Sequence, residues 1–199
     1  MSKASFELFR GELIGAGLYK TLDALSLAEK AHEGVMRKDK VTPYIEHPMK
    51  VASLLFDAGI RDENVLVTAI LHDVVEDTEI SLLDISTKFG DEIAASVKKL
   101  SKPSNYSNDN YYAGIQSDPV AVLVKLADRT HNLSTFSVFS KEKKAEYIKE
   151  TEEFVYPLIK FAQHTYYKYA SQIRLFDLWI ETVVNTVSPF LKNIETNKG

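Results

Sequence analysis

The chain has 199 residues, the size of one domain or of one domain with an appendage. Its 24 lysines and arginines against 28 aspartates and glutamates give no overall basic charge to favour nucleic acid or an anionic membrane as a partner. The absence of cysteine excludes disulfides, a thiolate nucleophile and metal sites with cysteine ligands. No apolar run approaches the ~18 residues of a membrane helix, and we expect a cytoplasmic protein.

Helical periodicity dominates the first half of the chain. The eight glycines and six prolines of the sequence stand mostly between periodic segments, which favours an all-α fold. Helices are predicted over 20–32, 47–58, 62–78 and 81–90. Asp62 is a good N-cap, and Ser81 with Asp84 resembles a capping box. Pro48 suits a first helical turn, which would place His47 at the start of its helix.

The middle of the chain contains one ambiguous segment. A helix is predicted over 91–100, followed by a polar loop over 101–110 that we expect to form the rim of a pocket. The segment from Asp118 to Leu133 suits a helix with proline in its first turn. Its apolar, β-branched run at 120–124 would also suit a strand, and periodicity alone leaves both alternatives open.

The C-terminal part of the chain has no glycine from 141 to 192. This pattern predicts two long helices, the first kinked or broken near Pro157, because proline interrupts a regular helix. Nine of the 21 aromatic residues lie between Tyr147 and Trp179. On helices such density favours core or subunit packing over base stacking, which leaves a homodimer open.

Four polar residues interrupt the apolar pattern of the helix predicted over 62–78. His72 and Glu76 lie one turn apart on such a helix, and Asp73 and Asp77 lie one turn apart on the adjacent row. Burying these groups is costly unless something compensates their charge. A metal ion with acid–base groups beside it would do so. The alternative is a solvated acidic face next to a core histidine.

Two other segments could complete such a site. Asp128 follows an apolar stretch and has Asn132 one helical turn further on. His47 lies at a predicted helix terminus, where a side chain can point into a cleft. Lys125 is expected to point outward, and Arg129 to pair with a buried acid.

The remaining histidines are interpreted as structural. His32 is expected to be a core residue or a supporting partner of the site. His131 and His164 are expected to have packing or surface roles.

Three segments, RKDKVTPYIEHP, HDVVEDT and VKLADRTHNLST, follow one another in the sequence. Together they resemble the HD metallophosphohydrolase superfamily, specifically the hydrolase domain of RelA/SpoT-type proteins and the small alarmone hydrolases of the metazoan SpoT-homologue type. The resemblance covers about residues 20–140. It implies a single HD hydrolase domain over 1–199, an all-α HD-domain helical bundle with the helices of about 141–192 packed on it.

The resemblance also implies the residues of the site. In that family two histidines and two aspartates bind one divalent ion, usually Mn²⁺, and the matching positions are His47, His72, Asp73 and Asp128. The catalytic acidic pair corresponds to Glu76 and Asp77, with no indication of which is the acid and which the base. The substrate-binding positions correspond to Arg37, Lys38, Asn132 and Thr135.

The implied activity is hydrolysis of the alarmones ppGpp and pppGpp, with release of the 3′ pyrophosphate by attack of a metal-bound hydroxide. The partner would be a small nucleotide of the stringent response, with no nucleic acid and no membrane. Two alternatives stay open: an HD-fold phosphohydrolase of another nucleotide, such as an adenosine alarmone or a nucleotide monophosphate, and a sensor that binds an alarmone without cleaving it. Where the long family members usually have RKSGEPYI this chain has RKDKVTPYI, so the substrate-facing loop is expected to differ.

Overall fold

A computed structural model describes residues 3–103 and 105–195. Across these residues the fold is helical, and the one β interaction is an isolated antiparallel bridge between Met36 and Pro43. The predicted all-α class is confirmed. Within the same residues, no helix is both long and apolar enough to cross a membrane.

The first seven helices form the part of the fold that precedes the polar loop. They are α1 (Lys3–Gly15), α2 (Tyr19–Ala31), α3 (Glu46–Asp57), α4 (Glu63–Leu71), α5 (Val74–Asp77), α6 (Leu82–Phe89) and α7 (Asp91–Leu100). The predicted caps are present: the Asp62 side chain accepts the Asn64 N–H, and Ser81 and Asp84 form a reciprocal capping box.

The described residues after α7 form five further helices with short connections. They are α8 (Asn108–Gln116), α9 (Pro119–Ser134), α10 (Lys141–Glu150), α11 (Tyr156–Thr165) and α12 (Ala170–Glu195), with short 3₁₀ turns at Phe136–Val138 and Tyr167–Tyr169. The polar loop is shorter than predicted, because Ser107 caps α8 from within it.

The helix predicted over 62–78 is two helices, which corrects the sequence-based prediction. The break falls at His72 and Asp73, between α4 and α5. The Nδ1 atom of His72 lies 2.7 Å from the Ala69 carbonyl oxygen, which in a continuous helix would accept the Asp73 N–H. The side chain of His72 therefore bonds to the carbonyl that the Asp73 N–H would use in a continuous helix. The Asp73 carboxylate lies beside the His72 ring, with Oδ2 3.2 Å from Nε2.

Helix α9 resolves the ambiguous segment in favour of a helix. Asp118 caps it through the N–H groups of Val120 and Ala121, and Pro119 occupies its first turn. The helix packs against α3, α4, α7, α8 and α12. It is therefore buried on several sides, which explains the continuous apolar run that resembled a strand.

The predicted interruption near Pro157 is confirmed. Thr151–Val155 form a π-helical turn between α10 and α11, immediately before the proline. A wider turn accommodates the missing N–H and the ring of proline.

Candidate metal and substrate site

Three parts of the fold bring two histidines and two aspartates together. His47 lies in the first turn of α3, His72 and Asp73 lie at the break between α4 and α5, and Asp128 lies in α9. The Nε2 atom of His47 is 3.4 Å from Asp73 Oδ2 and 3.3 Å from Asp128 Oδ1. The Nε2 atom of His72 is 3.2 Å from Asp73 Oδ2 and 4.0 Å from Asp128 Oδ1.

Hydrogen bonds orient both imidazoles toward the carboxylates. The Nδ1 atom of His72 faces the Ala69 carbonyl, which can only accept, so this nitrogen carries a proton and Nε2 of the neutral ring has a free lone pair. The Nδ1 atom of His47 lies 2.8 Å from Nδ1 of His131. Each ring therefore presents Nε2 to the cluster, and the second nitrogen holds the orientation, as in metal-binding histidines.

Opposite charges within the cluster compensate the cost of burying each other. Burial alone lowers the pKa of His72, but Asp73 and Asp128 outweigh it and raise that pKa to about 9. Burial alone raises the pKa of Asp128, but Lys125 and His47 outweigh it and hold that pKa well below its ordinary value. In the absence of a metal the cluster thus keeps carboxylates ionised beside protonated imidazole.

These residues fit a divalent cation. His47, His72 and Asp128 each offer one ligand atom, and the three atoms lie within 4.8 Å of one another. The Nε2 atom of His72 is buried without a hydrogen-bond partner, although it lies close to Asp73. An unsatisfied nitrogen among carboxylate oxygens, with no thiolate, is a ligand set for a borderline or hard divalent ion.

The two oxygens of Asp128 have different partners. Asn132 donates from Nδ2 to Oδ1 at 2.6 Å, and Oδ1 is also the atom that faces His47 and His72. Lys125 donates from Nζ to Oδ2 at 3.2 Å. The prediction that Lys125 points outward is wrong, because α9 is buried on the side of this lysine as well as on the side of Asp128.

Tyr44 is a partner of the cluster that sequence reasoning missed. Its hydroxyl donates to Asp73 Oδ2 at 2.6 Å. Its ring stacks in a tilted arrangement on the buried ring of His32, with centroids 4.7 Å apart, and contacts the His47 ring edge-on. Tyr44 lies three residues before His47, just ahead of α3, and this spacing was the signal available in the sequence.

His131 was also missed as part of the site. It was expected to have a packing or surface role, but it is buried, contacts His47 and lines the cavity described below. His131 lies three residues after Asp128 on α9, and this spacing places both residues on the same face of the helix. His164, in contrast, is exposed, with Nδ1 2.7 Å from the Lys160 carbonyl.

A cavity of about 730 Å³ opens above the cluster, a size typical of small-molecule sites. The four residues predicted to bind substrate all line it: Arg37, Lys38, Asn132 and Thr135. The cavity lining also includes aromatic and cationic side chains, namely Tyr111, Tyr147, Lys102 and Lys125. A polyanion with a flat ring would find complementary charge and stacking surface here.

The loop that carries Arg37 and Lys38 is a tight turn. Asp39 accepts hydrogen bonds from the backbone N–H of Val41 and of Thr42, and from the Thr42 hydroxyl. The Arg37 N–H in turn donates to the Thr42 carbonyl. Asp39 therefore closes this turn, which contains no glycine.

The two predicted catalytic acids differ in position. Glu76 lines the cavity and accepts a hydrogen bond from the backbone N–H of Lys102. Burial raises the pKa of Glu76, and the Lys102 N–H offsets part of that rise. Asp77 is exposed, as Glu76 is, but it is absent from the cavity lining formed by the described residues.

Arg129 pairs with an acid, as expected, although that acid, Glu150, is only partly buried. Its Nη2 atom lies 2.7 Å from Glu150 Oε2, and the Tyr112 hydroxyl donates to the other carboxylate oxygen at 2.9 Å. Glu150 also lies 3.7 Å from Lys102 Nζ. This ion-pair network ties α9 to the start of the π-helical turn.

In this helical domain an adjacent histidine and aspartate lie beside a second histidine and a second aspartate from other helices. This arrangement defines a class of proteins with a His/Asp metal centre. Residues 24–159 match the family model described as the HD domain, and the chain belongs to the HD-domain family.

Relatives with named activities also match. The chain is 39% identical over 133 residues to a probable guanosine-3′,5′-bis(diphosphate) 3′-pyrophosphohydrolase of Synechocystis, a match that covers 61% of this chain and 17% of that one. It is 35% identical over 146 residues to the bifunctional (p)ppGpp synthase/hydrolase SpoT of Escherichia coli, with 68% and 20% covered. The chain thus spans about a fifth of the length of these relatives.

A solved structure shares the fold. It is that of a metazoan orthologue of SpoT described as hydrolysing ppGpp, with a TM-score of 0.65 and 24% identity over 84% of this chain and 94% of that one. The resemblance predicted from the sequence motifs is confirmed by these matches.

Proposed function

We propose that the protein is a metal-dependent hydrolase that removes pyrophosphate from the 3′ position of ppGpp and pppGpp, in a single HD domain. The observation that carries the proposal is the contact between Asp128 Oδ1 and His47 Nε2, 3.3 Å apart, beneath a cavity that Arg37 and Lys38 also line. The activities named for the relatives support the choice of substrate, although those chains are much longer.

The proposed metal ligands are His47, His72, Asp73 and Asp128. We propose Mn²⁺ because the family resemblance implies it, and imidazole and carboxylate ligands without a thiolate do not strongly favour zinc over manganese. When bound, the ion supplies Lewis-acid stabilisation of a phosphate oxygen and lowers the pKa of a water molecule.

Glu76 is the proposed proton acceptor. A water oxygen forms a bond to the phosphorus attached to the 3′ oxygen, the bond from phosphorus to the 3′ oxygen breaks, and the 3′ oxygen leaves as a hydroxyl. Glu76 lies at the cavity, and a carboxylate with a raised pKa is a better proton acceptor than an ordinary one. Asp77 is the proposed second member of the pair, with the smaller role because it is absent from the cavity lining formed by the described residues.

Phosphate and sugar binding is assigned to four other residues of the cavity lining. The Arg37 guanidinium can bind a phosphate through two parallel hydrogen bonds, and Lys38 adds a point charge. Asn132 uses one N–H on Asp128 and keeps its second N–H and its amide oxygen for the substrate. Thr135, which also lines the cavity, is the proposed neighbour of Asn132 at the substrate.

Product analysis after incubation with ppGpp, with and without Mn²⁺, tests the proposal. We expect pyrophosphate and guanosine 5′-diphosphate from the metal-loaded protein. Asp73→Ala should abolish turnover while the circular dichroism spectrum stays unchanged. Asp23→Ala, an exposed aspartate on α2, is the matched control and should retain full activity.

Two other results would contradict this assignment. Release of orthophosphate, or faster cleavage of an adenosine analogue in the same assay, would indicate a hydrolase of another nucleotide. Recovery of tightly bound ppGpp intact after incubation with Mn²⁺ would indicate a sensor.

A further inference from the structure

Lys125 is a buried charge that the proposed reaction does not use. Its side chain is only 7% exposed, lines the cavity, and lies with Nζ 5.4 Å from the centre of the Tyr111 ring. Its ionic partner is Asp128 Oδ2, at 3.2 Å. Burying an ammonium group is costly even when it is paired, so its presence beside a metal-binding carboxylate calls for a role.

The contact divides the carboxylate of Asp128 between two tasks. Oδ2 is occupied by Lys125, whereas Oδ1 faces both imidazoles and accepts from Asn132. With both oxygens held by separate donors, the carboxylate cannot rotate to offer its two oxygens equally to one cation. Asp128 is thus oriented as a one-oxygen ligand.

Electrostatics indicate that Lys125 does not serve to attract the metal. A positive charge next to the ligand carboxylate repels a divalent cation bound to the other oxygen of that carboxylate. The lysine therefore lowers affinity for the cation. Lys125 thus weakens cation binding although it contacts a metal-binding carboxylate directly. Its role therefore lies in the reaction.

We propose that Lys125 is a positioning residue that restricts Asp128 to one ligand oxygen and so leaves space at the metal for a phosphate oxygen of the substrate. This inference rests on the metal site of the proposed function. It separates two properties that normally change together: loss of the lysine should strengthen metal binding and weaken catalysis.

The test measures Mn²⁺ binding to the metal-free protein by calorimetry, together with kcat and KM. Lys125→Met should bind Mn²⁺ about tenfold more tightly and lose kcat by about tenfold or more, with a smaller change in KM. Lys125→Arg, which keeps the charge and the donor, should restore the wild-type metal affinity and part of kcat. Lys125→Gln keeps an N–H donor without the charge, and should show the tighter binding with a smaller loss of kcat.

Lys102→Met is the matched control for the metal titration. Lys102 lines the same cavity and lies 5.0 Å from the Tyr111 ring centre, but its charged partner is Glu150 rather than Asp128. Its metal affinity should stay within about twofold of the wild type. Equal tightening in both variants would overturn the positioning role in favour of a general charge effect.

The remaining outcomes are also decisive. A merely structural Lys125 predicts weaker metal binding and a lower melting temperature in both neutral variants, and that result would overturn the inference. If the wild type binds Mn²⁺ but leaves ppGpp uncleaved, the proposed function fails, while the affinity comparison still decides whether Lys125 weakens metal binding at Asp128. If the wild type does not bind Mn²⁺ at all, both fail.

Discussion

The Nδ1 atoms of His131 and His47 lie 2.8 Å apart, in a hydrogen bond between two buried rings. Burial and the proximity of His47 lower the pKa of His131 to about 3, so His131 stays neutral throughout the physiological range. A neutral ring can accept a hydrogen bond from His47 Nδ1 and thereby direct His47 Nε2 to the carboxylates. We therefore expect His131 to support the proposed metal site by orienting His47.

Replacing His131 should weaken metal binding without unfolding the protein. We expect His131→Ala to raise the Kd for Mn²⁺ by about 10- to 100-fold, because His47 loses the group that orients it. Calorimetry of the metal-free protein measures this effect. His131→Asn, which can accept a hydrogen bond, should recover part of the affinity, and the exposed His164→Ala should have no effect. Unchanged affinity in His131→Ala would show that the contact is incidental.

Removing the Tyr44 hydroxyl should act on Asp73. Tyr44→Phe keeps the ring that packs on His32 but deletes the donor to Asp73 Oδ2. We expect the Kd for Mn²⁺ to rise about tenfold with little change in melting temperature. Tyr19→Phe, at an exposed tyrosine, is the control. A large fall in melting temperature with unchanged metal affinity would contradict this role.

The two acids after the HD pair should differ in their effect on catalysis. Glu76→Gln should lower kcat by about 10²- to 10⁴-fold, the range for loss of a general base. Asp77→Asn should lower kcat by a smaller factor, because the cavity lining formed by the described residues includes Glu76 but not Asp77. Steady-state kinetics with ppGpp provide the comparison. An equal or larger loss in Asp77→Asn would reverse the assignment of roles.

The Arg129–Glu150 ion pair should make stability depend on acid pH. Burial alone raises the pKa of Glu150, but Arg129 and Lys125 outweigh it and lower that pKa from 4.5 to about 2. Because the folded state binds the proton less readily than the unfolded state, the stabilisation is complete above pH 4.5 and is lost as the pH falls toward 2.

Urea denaturation of Glu150→Gln across this range tests that expectation. At neutral pH the variant should be less stable by about 3 kcal/mol, since Arg129 is only 2% exposed and loses its charged partner. The difference from the wild type should narrow as the pH falls below 4.5. Glu146→Gln, in an exposed pair with Lys143, should cost less than about 1 kcal/mol at every pH. A difference independent of pH would show that Glu150 acts by packing alone.

The sequence by itself determined the features that depend on neighbours along the chain. The caps at Asp62 and Ser81 and the interruption before Pro157 were predicted from local chemistry and are present. The metal-ligand set was implied by the resemblance to a family, since no local rule relates His47 to Asp128, which lie 81 positions apart in the sequence.

Only the tertiary structure decided which way the side chains of α9 point. A helix buried on several sides has no polar face from which a direction can be deduced, so Lys125 was expected to face solvent and His131 to lie apart from the site. The break at His72 was hidden for a similar reason: the contact of its ring with the Ala69 carbonyl replaces a helical hydrogen bond that periodicity alone would retain. Periodicity identifies the buried segments, whereas the partners of each buried polar group depend on which helices pack together.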